Sequence, residues 1–227
     1  APRIDPVTGR PMSSQTDVNA PGTGGRLVRW YLPGLVIAAP AVAYMGSIPA
    51  TPYWGDGIEL TGAGRVLGVA HPTGYPLYTL LLHAAQALPL GTVAFRSNLL
   101  DAGISVLTVF VWYRIARRIL DRINGRGLER GDAAELATSM LAAGAALTLG
   151  LARSFWFHAV TTEVYALNLW FLAIGTLWAL DLLEGFCARR WMASVMRGLV
   201  FCVVMAMVSF GLVVSGRQSW KRCSSAK

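Results

Sequence analysis

Two polar stretches hold nearly all the residues of this chain that could do chemistry. The first, WGDGIELTGAGRVLGVAHPTGYPLYTLL, carries Asp56, Glu59, Arg65 and His71. The second, ARSFWFHAVTTEVYALN, carries Arg153, His158, Glu163 and Tyr165. A positioned carboxylate can take the proton of a weak nucleophile such as a hydroxyl. Arginine and histidine can stabilise a negative charge that develops on a leaving group. The same residues can also be ordinary loop charges that meet water, and residue type alone leaves both readings open.

The remaining polar residues carry weaker signals. His83 reads as the polar face of a short helix rather than a metal ligand. Asp101 lies one turn into an apolar run, where it is expected to pair with a helix terminus or a cation near the mouth of a bundle. Asp181 and Glu184 stand close to Arg189 and Arg190 and read as a solvated edge. Gly62 and Gly64 do not follow a strand, so they imply no nucleotide loop, and there is no HExxH motif or P-loop. Cys187, Cys202 and Cys223 are odd in number and have no paired or ligand-like spacing. Neither disulfides nor a metal site is expected.

The elements that must position these residues are apolar helices. The chain is 54% hydrophobic and only 14% charged, whereas soluble domains are roughly a quarter charged. Its net charge of +8 could suggest nucleic acid. The basic residues, however, flank long apolar runs, which points to membrane topology and away from nucleic acid. The expected fold is all-α, a polytopic transmembrane bundle of about five spans. The runs are Tyr31–Ala50, Ser97–Ile115, Leu136–Ala152, Val164–Leu180 and Gly198–Ser215, each close to the roughly 20 residues that cross a bilayer. Trp30, Tyr31, Tyr53 and Trp54 bracket the first as interface anchors. Small residues from Ala142 to Ala146 would let another helix approach closely. Tyr75–Leu90 is apolar but too short to span and contains His83, Gln86 and Pro89, so it reads as an interfacial helix inside a structured first loop.

Three segments follow from this division. Residues 1–25, rich in Pro, Gly, Ser and Thr, read as a disordered tail. Residues 26–216 form the transmembrane module, and 217–227 form a basic tail. There is no initiator Met, so the start is expected to be processed or missing. Arginines set the orientation. With a cytoplasmic N-terminus, the inner segments hold Arg3, Arg10, Arg26 and Arg29, then Arg114 to Arg130, then Arg189, Arg190 and Arg197. The outer loops hold only Arg65, Arg96 and Arg153, which places both chemistry-bearing stretches on one side. Arg217, Lys221, Arg222 and Lys227 run against this trend.

Four motifs in order, GDGIEL (Gly55 to Leu60), AHPTGYPLYTLL (Ala70 to Leu81), LPLGTVAFRSNLL (Leu88 to Leu100) and FWFHAVTTEVYALN (Phe155 to Asn168), carry a resemblance. Over Trp54 to Trp170 the chain resembles a family of multipass proteins related to protein O-mannosyltransferases, within the GT-C glycosyltransferase superfamily. The family's usual second proline after His-Pro is Thr73 here. The resemblance implies a membrane enzyme that takes a sugar, with mannose favoured, from a polyprenyl-phosphate carrier. The sugar passes to a hydroxyl of a protein or glycan acceptor on the non-cytoplasmic face of a bacterial inner membrane or the endoplasmic reticulum. The lipid-linked sugar is then a donor substrate, and no cofactor is implied. The base of such enzymes is an acid of the first outer loop, which falls on Asp56, with Glu59 as a second candidate. Arg65, His71, Arg153 and His158 could meet the lipid phosphate, and Tyr75, Glu163 and Tyr165 complete the candidate substrate-binding set. Enzymes of this superfamily have more spans than five, so the chain is expected to be a fragment or to carry an altered C-terminus. A transporter or flippase, or a non-catalytic membrane subunit, is the alternative. Apolar span centres with polar residues gathered at one mouth count against passage through the bundle.

Overall fold

The computed structural model describes residues 31–71, 74–124 and 132–187, and every regular element among them is a helix. In chain order these are α1 (Leu32–Met45), α2 (Asp56–Val66), α3 (Pro76–Gln86), α4 (Val93–Ile123), α5 (Asp132–Leu151), α6 (Arg153–Ala159) and α7 (Tyr165–Cys187). Helices α4, α5 and α7 are long and apolar enough to cross a membrane. The helical membrane bundle expected from composition is therefore the fold. The expected fifth span, Gly198–Ser215, and both tails lie outside the described residues.

The first run differs from expectation. Among the described residues, which begin here at Tyr31, α1 is helical over Leu32–Met45 and stops five residues before the expected Ala50. It stops at Gly46, ahead of Pro49, which cannot continue a helix. The second run is longer than expected. Helix α4 runs 31 residues, so Arg114, Arg117, Arg118 and Arg122 are helical rather than part of a loop. No Pro or Gly interrupts Ile115–Ile123, and the helix ends at Asn124.

Helix α4 is the element against which α1, α3, α5, α6 and α7 all pack. Ala142, Ala143 and Ala146 of α5 are buried with Val36 of α1 and Val109 and Tyr113 of α4, so this part of the small-residue stretch brings three helices together. Gly144 and Ala145 face outward. At Gly150 a Cβ would come 2.7 Å from Val109, and the buried Tyr44 hydroxyl donates to the Gly150 carbonyl at 2.5 Å. Only glycine allows this crossing.

The short helices gather at one end. Leu60 and Ala63 of α2, Tyr78 and Leu82 of α3, and Leu167 and Phe171 of α7 form one apolar cluster. The expected interfacial helix is α3, which buries Tyr78, Thr79, Leu82 and Gln86 while Leu80 stays exposed. His83 Nδ1 lies 2.9 Å from the Gly64 carbonyl, so His83 ties α3 to α2. Arg96 donates to the Gln86 and Leu88 carbonyls at 2.5 and 2.7 Å. It thereby caps α3, and its role is structural. At the opposite end, Arg118 of α4 pairs with Asp181 of α7. Asp181 is thus a cross-helix partner rather than a solvated edge.

Candidate active site

The site starts at a backbone feature. Gly55, at φ 97°, holds a conformation that side chains disfavour, and Asp56 follows it as the first residue of α2. Asp56 and Glu59 are one turn apart and share a face. Acids in a first helical turn also suit the helix dipole, so part of their placement is structural. After α2 the chain reverses through Leu67, which is left-handed at φ 51°, and the Gly68 N–H returns to the Ala63 carbonyl at 2.9 Å. This reversal brings His71 back over the first turn of α2.

His71 is held by both acids. Its backbone N–H donates to Glu59 Oε1 at 2.5 Å, and its Nδ1 lies 3.1 Å from Glu59 Oε2. Its Nε2 lies 3.7 Å from Asp56 Oδ2. Both oxygens of Glu59 are therefore engaged, whereas Asp56 is looser and its side chain is 60% exposed. The Tyr75 ring meets His71 edge-on at 5.6 Å. Tyr75 is itself left-handed at φ 38°, a conformation that costs a side-chain-bearing residue roughly 1–2 kcal/mol.

The second polar stretch closes on the same place. Glu163 is half-buried, and its carboxyl is raised from the usual range by desolvation first and then by the charge of Asp56, with His71 acting in opposition. The close approach is made at Gly57, where a Cβ would come 3.1 Å from the Thr162 carbonyl. The Thr162 hydroxyl donates to Asn98 at 2.6 Å, and Asn98 donates to the Pro49 carbonyl at 3.0 Å. The Glu163 N–H donates to Asp101 Oδ2 at 3.0 Å, and the Tyr78 hydroxyl donates to the same oxygen at 2.6 Å. Burial and the neighbouring carboxylates push the Tyr78 hydroxyl up.

The structure thus brings Asp56, Glu59, His71, Tyr75 and Glu163 together. It leaves others apart. Arg65 is exposed in the last turn of α2, nine residues from Asp56 and so roughly 13 Å along the axis. Arg153 is exposed at the start of α6, and neither arginine has a partner among the described residues. His158 packs against Tyr165 at a tilt, with ring centroids 4.8 Å apart. An open groove of about 780 Å³ runs along α6, lined by Arg153, Trp156, Phe157 and His158 among others. Sequence reasoning singled out Asp101 but not its partners, Tyr78 and the Glu163 amide. It missed Asn98 entirely, because a polar residue inside an apolar run does not reveal which loop it holds. The buried face of α4, with Ser97, Asn98, Asp101, Ser105 and Thr108, is also more polar than expected.

Residues 56–215, about 70% of the chain, match the family described as the Protein O-mannosyl-transferase TMEM260 N-terminal domain. The chain belongs to this family. The match extends past Trp170, where the resemblance in the four motifs ends. Over 142 residues the chain is 34% identical to mouse (Mus musculus) Protein O-mannosyl-transferase TMEM260, covering 61% of this chain and 18% of the mouse protein. No solved structure matches the chain.

Proposed function

We propose that this chain is part of a membrane glycosyltransferase of the GT-C type that moves a hexose, mannose in the first instance, from a polyprenyl-phosphate carrier to a hydroxyl of a protein or glycan. The name of the mouse relative is consistent with this. The observation that carries the reading is the placement of Asp56. It opens a helix at one end of an apolar bundle with a carboxylate oxygen free among the described residues, while both oxygens of Glu59 are held by His71.

In this reading the acceptor hydroxyl oxygen attacks the anomeric carbon and its proton passes to Asp56. The bond from that carbon to the phosphate oxygen breaks, and the phosphate leaves with the electron pair. The leaving group is stable as an anion and needs no acid. His71 is fixed nearby by Glu59, and Arg153 is a cation on the second loop with no partner among the described residues. The reaction takes place on the non-cytoplasmic face, with the N-terminus cytoplasmic, and the endoplasmic reticulum is the favoured membrane. That orientation also puts the arginine-rich end of α4 inside.

The test is turnover in membranes containing the full-length protein, supplied with labelled polyprenyl-phosphate mannose or glucose, comparing wild type with Asp56→Asn. General base catalysis is worth ~10²–10⁴-fold, and a loss of that order with unchanged expression is expected. Full activity in Asp56→Asn would remove this residue as the base.

A further inference from the structure

Asp101 takes no part in the bond changes above, yet it lies beneath them. Its side chain is fully buried in α4, where an ionisable group is costly unless its hydrogen bonds repay it. One oxygen, Oδ2, accepts from two different elements, the Tyr78 hydroxyl of α3 and the Glu163 amide that leads into α7. The other, Oδ1, is sealed without a partner among the described residues. One turn earlier on α4, Asn98 accepts from Thr162. Consecutive residues of the second loop, Thr162 and Glu163, are thus fastened to one face of α4. On its other side Thr162 meets Gly57, next to Asp56.

We infer that Asp101 is a positioning residue, which holds the Glu163 amide and the Tyr78 hydroxyl on one carboxylate oxygen and so sets how close Glu163 stands to Asp56. This rests on the reading of Asp56 as the base. Glu163 faces Asp56 and His71 from the first loop, Tyr78 from α3 and Asp101 from α4, while His158 and Tyr165 pack against each other close by in the sequence. Releasing the amide lets Glu163 move toward solvent. The half-buried carboxyl of Glu163 then returns toward its ordinary range. That change shows in the pH dependence of turnover, whereas a purely structural bond would change only the amount of folded protein.

The experiment pairs hydrogen exchange over residues 157–164 with the pH profile of turnover in the full-length protein. Asp101→Val removes the acceptor. Exchange of the Glu163 amide should accelerate, turnover per folded molecule should fall on the order of 10²-fold, as expected for a small misplacement, and the acid limb of the profile should shift. Asp101→Asn keeps an acceptor oxygen in the same place and should restore slow exchange and most of the turnover. Tyr78→Phe keeps the Glu163 bond, so its profile should keep the wild-type shape even if thermal stability falls, and this arm holds if Asp101→Val does not fold. Fast exchange with an unchanged pH profile would overturn the inference, as would Asp101→Asn behaving like Asp101→Val. Neither result bears on Asp56, whose own test is Asp56→Asn with exchange over 157–164 unaffected.

Discussion

The two ends of the bundle use the same ionisable residue types in opposite ways. At the arginine end, Asp181 pairs with Arg118, Glu135 lies 3.6 Å from Arg117, and Arg122 donates to the Leu180 carbonyl at 3.2 Å. Each of those acids meets a permanent cation. At the loop end, Asp56, Glu59 and Glu163 gather around His71, with no arginine or lysine partner among the described residues. Arg65 and Arg153 stand nearby in the sequence without pairing with them. Charge matched one to one is what a structural tie requires. Three acids sharing one histidine are not a one-to-one tie, and such clusters of ionisable groups concentrate at functional sites.

The contrast can be broken experimentally. The largest effect should come from Asp56→Asn, with its ~10²–10⁴-fold loss of turnover. Glu59→Gln should lose less, because Glu59 positions His71 rather than facing the acceptor. A larger loss in Glu59→Gln than in Asp56→Asn would exchange their roles. Next comes Gly57→Ala. Its added methyl would sit 3.1 Å from the Thr162 carbonyl, so α2 and the second loop must separate by a few tenths of an ångström. Turnover should fall roughly 10-fold, well within the cost of small misplacements, with little change in thermal stability. Wild-type turnover in Gly57→Ala would show that the spacing of the two loops does not matter.

Glu163 gives a smaller effect of definite sign. Its carboxyl is raised in the folded protein, so the folded state holds that proton more tightly than the unfolded chain. The resulting stabilisation is present below the usual carboxylate range and is lost as pH rises through the raised value. Glu163→Gln should therefore flatten the pH dependence of thermal unfolding between mildly acidic and neutral solution. An unchanged slope would place the titration elsewhere. The smallest effect belongs to the other end. Arg117→Ala should cost under about 1 kcal/mol of stability, as for exposed ion pairs, and leave turnover per folded molecule unchanged. A catalytic defect there would erase the distinction between the ends.

Much of this arrangement is legible in the sequence. Alternating spans put the Asp56 and Glu163 stretches at the same end, and apolar length alone identifies α4, α5 and α7. Other features are not legible, for physical reasons. Gly57, Gly62 and Gly64 make α2 look like a loop, yet at Gly64 Leu82 comes too close for a Cβ, and at Gly57 the Thr162 carbonyl leaves little room for one. The partners of Asp101 come from α3 and from the turn before α7, so only the packed bundle brings them together.

One rod joins these two ends. Helix α4, at 31 residues and roughly 46 Å, outreaches the about 30 Å of bilayer hydrocarbon, and it holds Glu163 near one tip and Asp181 near the other. A rigid helix answers a thinner or thicker membrane by tilting rather than by stretching. Tilt would swing the carboxylates sideways and change their depth relative to the lipid headgroups. Bilayer thickness would then act as a setting on the depth of the site, and so on how well it reaches the proposed lipid-borne sugar, with no residue exchanged.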